Sequence, residues 1–274
     1  MQPQTPDSED EFPWWLVVAG ICGIAIAIVI ATNGLYLQVL NIVSRGIGIT
    51  IFVTLTGFFL ASALGLVLAV MALSQSVIAR QSARFYVEII RGVPILVLLF
   101  YIAFVGAPAF VTAWNWLTIP LQRLGVVDAM VIRDFPLLWR AIMALTIGYS
   151  AFIAEVFRAG IQSVDKGQIE AAKALGLTRL QRFRLIVLPQ AIRTILPPLG
   201  NDFVAMVKDS SLVSVLGVAD LTQMGKVYAS GSFRFFETYS IVAYVYLILT
   251  IGLSLMLRRL ERYLRRAEEA RERG

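Results

Sequence analysis

Asn201, Asp202, Lys208 and Asp209 stand inside an otherwise apolar stretch of this 274-residue chain, and Ser210 and Ser211 follow at once. On a helix, positions seven apart share a face, which groups Asn201 with Lys208 and Asp202 with Asp209. Such a lining suits a solute that carries both an ammonium and a carboxylate: Lys208 attracts the carboxylate, and Asp202 or Asp209 the ammonium. A structural role fits the same residues, with Lys208 paired to a carboxylate so that neighbouring helices hold together. Each Lys or Asp at the centre of a membrane helix costs roughly 2.5 to 3.5 kcal/mol, so partners or water must offset it. Other chemistry is excluded by inventory. The chain has no His and a single Cys, Cys22, which rules out a His/Cys zinc site, a Ser-His-Asp triad and an internal disulfide.

A second polar segment precedes this stretch. Glu155 and Arg158 are three residues apart on a helical run, a spacing that lets them pair as a structural clamp or as part of a gate. Asp165 then precedes Gln168 by three residues and Thr178 precedes Gln181 by three, the pattern of two helix starts. Gly176 lies between them and suits the left-handed turn that ends a helix. The sequence therefore predicts helix from Lys166 to Leu175, a tight turn, and a second helix from Arg179 to about Val187. Glu170, Ala171 and Ala172 fall on the first helix, where two small side chains let another protein surface approach closely. No G-x-x-x-x-G-K-[ST] occurs, so the loop that would cradle nucleotide phosphates is missing.

The elements that carry these residues need lipid as solvent. Apolar residues make up 58% of the chain and charged residues 15%, too little charge to cover a soluble globule of this size. Uncharged runs from Trp14 to Ser44, Gly46 to Ala79, Gly92 to Gln122 and Thr238 to Leu257 each exceed the roughly 20 residues that cross a bilayer as helix. Leu137 to Phe157 and Pro198 to Gly217 complete an expected set of six. Pro197, Pro198 and Gly200 predict an irregular start to the last of these. Between the third and fourth spans, 107–136 is expected as the longest outer segment, with Trp114 and Trp116 at the membrane interface. A secretory signal is not expected, because residues 1–12 are acidic, and Trp14 to Thr32 reads as a retained helix.

Cations set the orientation. With the N-terminus inside, the cytoplasmic loops and tail collect seventeen Lys and Arg, against six outside (Arg45, Arg123, Arg133, Arg140, Lys226 and Arg234). The net charge of +6 therefore points to anionic lipid and protein partners rather than nucleic acid. Beyond Leu257, Leu260, Tyr263, Leu264 and Ala267 recur at helical spacing among Arg and Glu, which predicts an amphipathic tail.

Glu170-Ala171-Ala172, three residues, Gly176, nine residues, Ile186, one residue, Leu188-Pro189 resembles, in every fixed position, the EAA signature of the membrane-spanning subunits of ABC importers. Arg91-Gly92-Val93-Pro94, Ala154 to Ile161, Leu188 to Ala191 and Lys208 to Leu212 are similar to permeases of polar amino-acid importers, over about residues 47 to 260. Val93 stands where Thr is frequent in that family. The resemblance implies an all-α integral membrane protein of the bacterial plasma membrane, with a five-helix type I ABC importer core and a cytoplasmic coupling helix; the chain departs from it by adding one extra N-terminal helix, Trp14 to Thr32, in front. This reading divides the chain into a cytoplasmic tail (1–12), the extra helix (13–33), the permease domain (46–257) and a cytoplasmic tail (258–274).

It further implies partners: an ABC ATPase dimer that holds ATP and Mg, a second permease, identical or homologous, and an external solute-binding protein. This chain would hydrolyse nothing and carry no cofactor; Glu170, Ala171, Ala172 and Gly176 would couple it to the ATPase. Import of another small polar solute is the nearest alternative. A helix-turn-helix around Gly176 has the right local look for DNA, but short links to flanking spans block access to a groove. A membrane enzyme built on Asp202 or Asp209 lacks any accompanying nucleophile or ligand set.

Overall fold

Small residues spaced by four decide where the two longest buried helices touch. In the computed structural model, which describes residues 14–272 with side chains through residue 262, Gly57, Ala61 and Gly65 of α3 (Ile47–Ala72) face α7 (Leu137–Gln162). A Cβ on Gly65 would lie 3.0 Å from the Ser150 carbonyl oxygen and 3.1 Å from the Ala154 nitrogen. Only a glycine allows that backbone approach, which in lipid replaces the hydrophobic drive between helices with close packing. Val53, Ala61, Ala144, Leu145 and Ile153 are buried along this seam, with Met206 from a third helix.

Every regular element among the described residues is helical. Lipid offers no partner for backbone N–H and C=O groups, so each rod satisfies its own. Five rods are long and apolar enough to cross a bilayer: Trp14–Thr32, Gly34–Ala72, Ile95–Arg123, Leu137–Gln162 and Phe235–Arg262. The first is α1. Asn33 ends it and caps α2 (Gly34–Val43) by accepting the Leu35 N–H at 3.0 Å; α2 runs through a 3-10 turn, Ser44–Gly46, into α3.

α4 (Val77–Gly92) is capped by Ser76 and strongly two-sided. Ala83 and Val87 are buried against Leu68, Ala151 and Ala154, and the Tyr86 hydroxyl meets Ser150 Oγ at 2.8 Å. α4 replaces the tail of the apolar run expected to continue to Ala79. α5 (Ile95–Tyr101) and α6 (Ala107–Arg123) join through a π turn, Ile102–Gly106, into one rod. The start of the expected outer segment is thus helix, with Trp114 and Trp116 on its surface. Pro108 directly follows the π turn, and the rod continues through it.

The sixth expected span takes a different form. Helix α10 runs from Leu188 to Asp209, followed by a 3-10 stretch, Ser210–Leu216. Its start lies well before Pro198, and Arg193, Asp202, Lys208 and Asp209 keep it less apolar than the other five. The irregular start predicted at Pro197, Pro198 and Gly200 is absent, and the helix is continuous through all three. A proline inside a helix costs about 3 kcal/mol. Packing offsets it here: Ile195 and Met206 are buried on either side, and Gly200 lies against Leu257.

α11 (Leu221–Ser232) is capped by the buried Asp220, whose carboxylate accepts the Gln223 N–H at 2.8 Å and the Tyr246 O–H at 3.3 Å. Burial pushes the Asp220 carboxyl above the ordinary carboxylate range, against the lowering effect of these bonds. α12 (Phe235–Glu272) is one helix through the last span and the expected amphipathic tail. The acidic tail expected at residues 1–12 lies outside the described residues.

Candidate functional site

Local hydrogen bonds specify the polar hairpin completely. Asp165 accepts the Gln168 N–H at 3.1 Å and opens α8 (Lys166–Ala174). The helix closes on Gly176 with φ +80°, the Leu177 N–H reaching the Ala172 carbonyl at 3.1 Å and the Gly176 N–H the Lys173 carbonyl at 3.0 Å. These two bonds form a Schellman turn. Thr178 and Gln181 then exchange a reciprocal capping box at 3.3 and 2.9 Å and start α9 (Arg179–Arg182).

The predicted second helix, Arg179 to Val187, is not a separate element. α9 ends at Arg182, and a π turn, Phe183–Val187, carries the chain directly into α10. The outer arm of the hairpin and the polar span are therefore one rod, so force applied at the tip reaches Asp202 and Lys208 with no flexible joint.

Glu170 and Ala171 face solvent, whereas Ala172 is buried beneath them. The small pair thus divides its work, Ala171 leaving room outside and Ala172 seating α8 on its base. Leu175 and Leu180, on either side of the turn, are 80% and 64% exposed. Two leucines thus stand exposed on a polar tip; nothing in their spacing singles them out beforehand, because leucine in a helix reads as core.

The base is fastened to the spans. Val164, Val187, Ala191 and Ile195 form a buried cluster with Ile169 and Ile186 packed on it. Gln190 donates to Gln168 at 2.6 Å, tying α10 to α8. At Gly160 a Cβ would stand 2.2 Å from Ile195 Cγ1 and 3.3 Å from the Ala191 carbonyl oxygen, so α7 and α10 cross in contact.

Further along α10 the polar residues separate by face. Asp209 accepts the Tyr149 O–H of α7 at 2.7 Å. Asp202, seven residues before it, has its Oδ2 atom buried with no hydrogen-bond partner among the described residues. Tyr149 was not legible as a site residue, since an aromatic in an apolar run reads as packing. Asn201 and Lys208 are exposed. Lys208 makes no ion pair among the described residues and lines a cleft between α1, α10 and α12, away from Asp209. Ser210 is buried with its hydroxyl donated to the Val207 carbonyl at 2.7 Å, and Ser211 is half-buried in the 3-10 stretch.

Glu155 and Arg158 pair as the spacing predicts, with Nη2 to Oε2 at 2.6 Å and Nε to both carboxylate oxygens at 3.1 Å. Arg158 also donates to Gln162 at 2.6 Å. All three lie on α7, so among the described residues the pair stiffens one helix and joins no second one. Arg91, at the end of α4, places its guanidinium 5.6 Å from the Phe152 ring and brings a further cation to the same level.

Residues 61–267 match the family described as binding-protein-dependent transport system inner membrane component. The chain is 38% identical to the glutamine transport system permease protein GlnP of Escherichia coli, over 80% of this chain and 90% of that one. It is 37% identical to the probable amino-acid permease protein YxeN of Bacillus subtilis, over 77% and 86%. Among solved structures, an amino acid ABC transporter crystallised with histidines superposes with a TM-score of 0.68 at 36% identity, covering 83% of this chain and 96% of that one. The MetNI methionine ABC transporter in an inward-facing conformation shares the fold, at a TM-score of 0.61 and 22% identity.

Proposed function

The chain belongs to the family of inner membrane components of binding-protein-dependent transport systems, and on that premise we propose that it is the permease subunit of an ABC importer of polar amino acids. The relatives named above carry the amino-acid class, and the all-helical membrane fold agrees with it. Membership implies an ATPase and a binding protein as partners. The finer arrangement is two permeases, this chain with an identical or homologous copy, above an ATPase dimer that binds ATP and Mg. The N- and C-termini lie in the cytoplasm, on the side rich in Lys and Arg.

One observation supports the mechanism above all: a Schellman-closed hairpin whose exposed tip, Glu170, Ala171, Leu175 and Leu180, is joined to the polar span by a continuous rod. The tip sits in a groove of the ATPase. When the ATPase closes on ATP, the hairpin moves, and the ties at Gln168–Gln190 and Gly160–Ile195 move α10 and α7 with it. Those helices carry Asp202, Asp209 and Tyr149, which line the path and receive the ammonium of the solute, with Asn201 beside them. Glu155 and Arg158 hold the inner end of α7 rigid during this swing.

The test is reconstitution of the permease with the companion chains that co-purify with it. Glu170→Lys, which reverses the charge at the exposed tip, should abolish ATP-driven uptake while the protein inserts normally. Wild-type uptake by that variant, or a purified particle with no ATP-hydrolysing chain, overturns the proposal.

A further inference from the structure

A charged group in a membrane helix needs a partner, and Lys208 has none among the described residues. The cleft it lines holds about 250 Å³ between α1, α10 and α12. Its wall is apolar on one side, with Val204, Leu247, Ile251 and Leu255, and polar at Thr250 and Ser254. Arg258 closes one end with its guanidinium 5.7 Å from the Trp15 ring. Arg258 makes no ion pair among the described residues either. Two unpaired cations therefore face one cavity, a charge pattern that calls for an anion.

The depth and direction of the two cations identify the kind of anion. A helical side chain leans toward the N-terminus of its helix. Lys208 thus leans back along α10 toward the end that carries Arg258, and its apolar stem can lie along the cleft wall while the ammonium points into the cleft that both cations line. Trp15 opens the first span, the position of an interfacial anchor. α1 adds an apolar wall: of its 19 residues only Ile30 is buried within the described chain, which leaves most of its circumference open to lipid. We infer that Lys208, Arg258 and Trp15 form a binding site for an anionic phospholipid of the cytoplasmic leaflet, its phosphate between the two cations and an acyl chain along Leu247, Ile251 and Leu255.

The inference rests on the orientation given above and is independent of what is transported. It also gives the extra N-terminal helix a task, that of completing the lipid site.

Native mass spectrometry of the full chain, titrated with phosphatidylglycerol and with phosphatidylcholine, tests it. Phosphatidylglycerol adducts should prevail, and Lys208→Gln and Arg258→Gln should each weaken that preference by about fivefold, the effect of one cation at a membrane surface. Arg259→Gln, one residue outside the cleft, should leave it unchanged. Thermal unfolding in phosphatidylcholine checks that the variants are folded. Equal adduct levels for the two lipids, or a preference that survives both substitutions, overturns the site. Displacement of the lipid by a free amino acid overturns it too, since Lys208 then serves the solute carboxylate; a wild-type protein that retains the phosphatidylglycerol preference but shows no ATP-driven uptake counts against the transport reading alone.

Discussion

Gly176→Val separates coupling from folding at one residue. The glycine has φ +80°, and a Cβ built there would meet nothing within 4 Å. The cost of a side chain is therefore purely that of the left-handed backbone, about 1–2 kcal/mol for an L-residue. Asn tolerates that region better than Ala, and a β-branched residue tolerates it least. The series Gly, Asn, Ala, Val thus grades the strain with no change in contacts. As φ relaxes to negative values the two Schellman bonds from Leu177 and Gly176 break, and α9 turns away from α8. A penalty of about 1.4 kcal/mol shifts the closed–open balance of the turn tenfold. ATP-driven uptake in proteoliposomes should fall in the order Asn, Ala, Val, to about one-tenth of wild type for Val. Thermal unfolding of the isolated permease should shift by no more than that strain of about 1–2 kcal/mol, because no buried contact is lost. Full uptake by the Val variant at normal incorporation refutes the lever, and so does equal loss in all three variants.

Gly160→Ala should destabilise the α7–α10 crossing by about 1–3 kcal/mol through overpacking on Ile195. Combining it with Ile195→Ala should recover part of that loss, and strictly additive unfolding midpoints would show that the crossing is looser than 2.2 Å implies. Tyr149→Phe removes the donor to Asp209 and should lower stability by roughly 1.5–3 kcal/mol, as expected of a hydrogen bond to a charged group; a midpoint equal to wild type contradicts the bond at 2.7 Å. Asp220 carries a pH dependence. Its folded carboxyl titrates above the unfolded value, so its contribution is fullest in acid, below the unfolded carboxylate range, and is lost as pH rises through the folded value. Asp220→Asn keeps the cap and removes the buried charge. The variant should unfold at a higher temperature than wild type at neutral pH, with the gap closing in acid; a variant less stable than wild type at pH 7 refutes this.

Much of the fold was legible because lipid leaves so few alternatives. Long uncharged runs had to be helices, and Asp165, Gly176 and Thr178 announced the hairpin through local chemistry that no tertiary contact needs to assist. Three features escaped. Pro197 and Pro198 read as a break, because their penalty is local while the compensating burial of Ile195 and Met206 comes from distant segments. The junction at Phe183–Val187 read as the end of a helix, since a π turn leaves no compositional mark. The face on which Lys208 lies was ambiguous, because a heptad groups residues with each other and says nothing of which neighbour they meet. Tyr149 belongs to the same class: its role comes from Asp209, 60 positions later.

The positions of close contact set what can move as a unit. α3 and α7 meet backbone to backbone at Gly65, and α7 meets α10 at Gly160. Sliding at either seam requires displacing a backbone carbonyl or a buried isoleucine, so the three helices respond to a push at the hairpin as one block. α1 is different, with one buried residue and its hydrogen bond from Tyr244 to the Gly23 carbonyl at 3.0 Å. It rides on α12 and leaves the block free on its other faces. In the proposed two-permease arrangement, a swing that opens and closes a path would take place where the block of α3, α7 and α10 meets the second permease. On that reading the polar contacts of α10 are where a solute would enter, and among the described residues Asp202 Oδ2 has no hydrogen-bond partner and is free to accept from it.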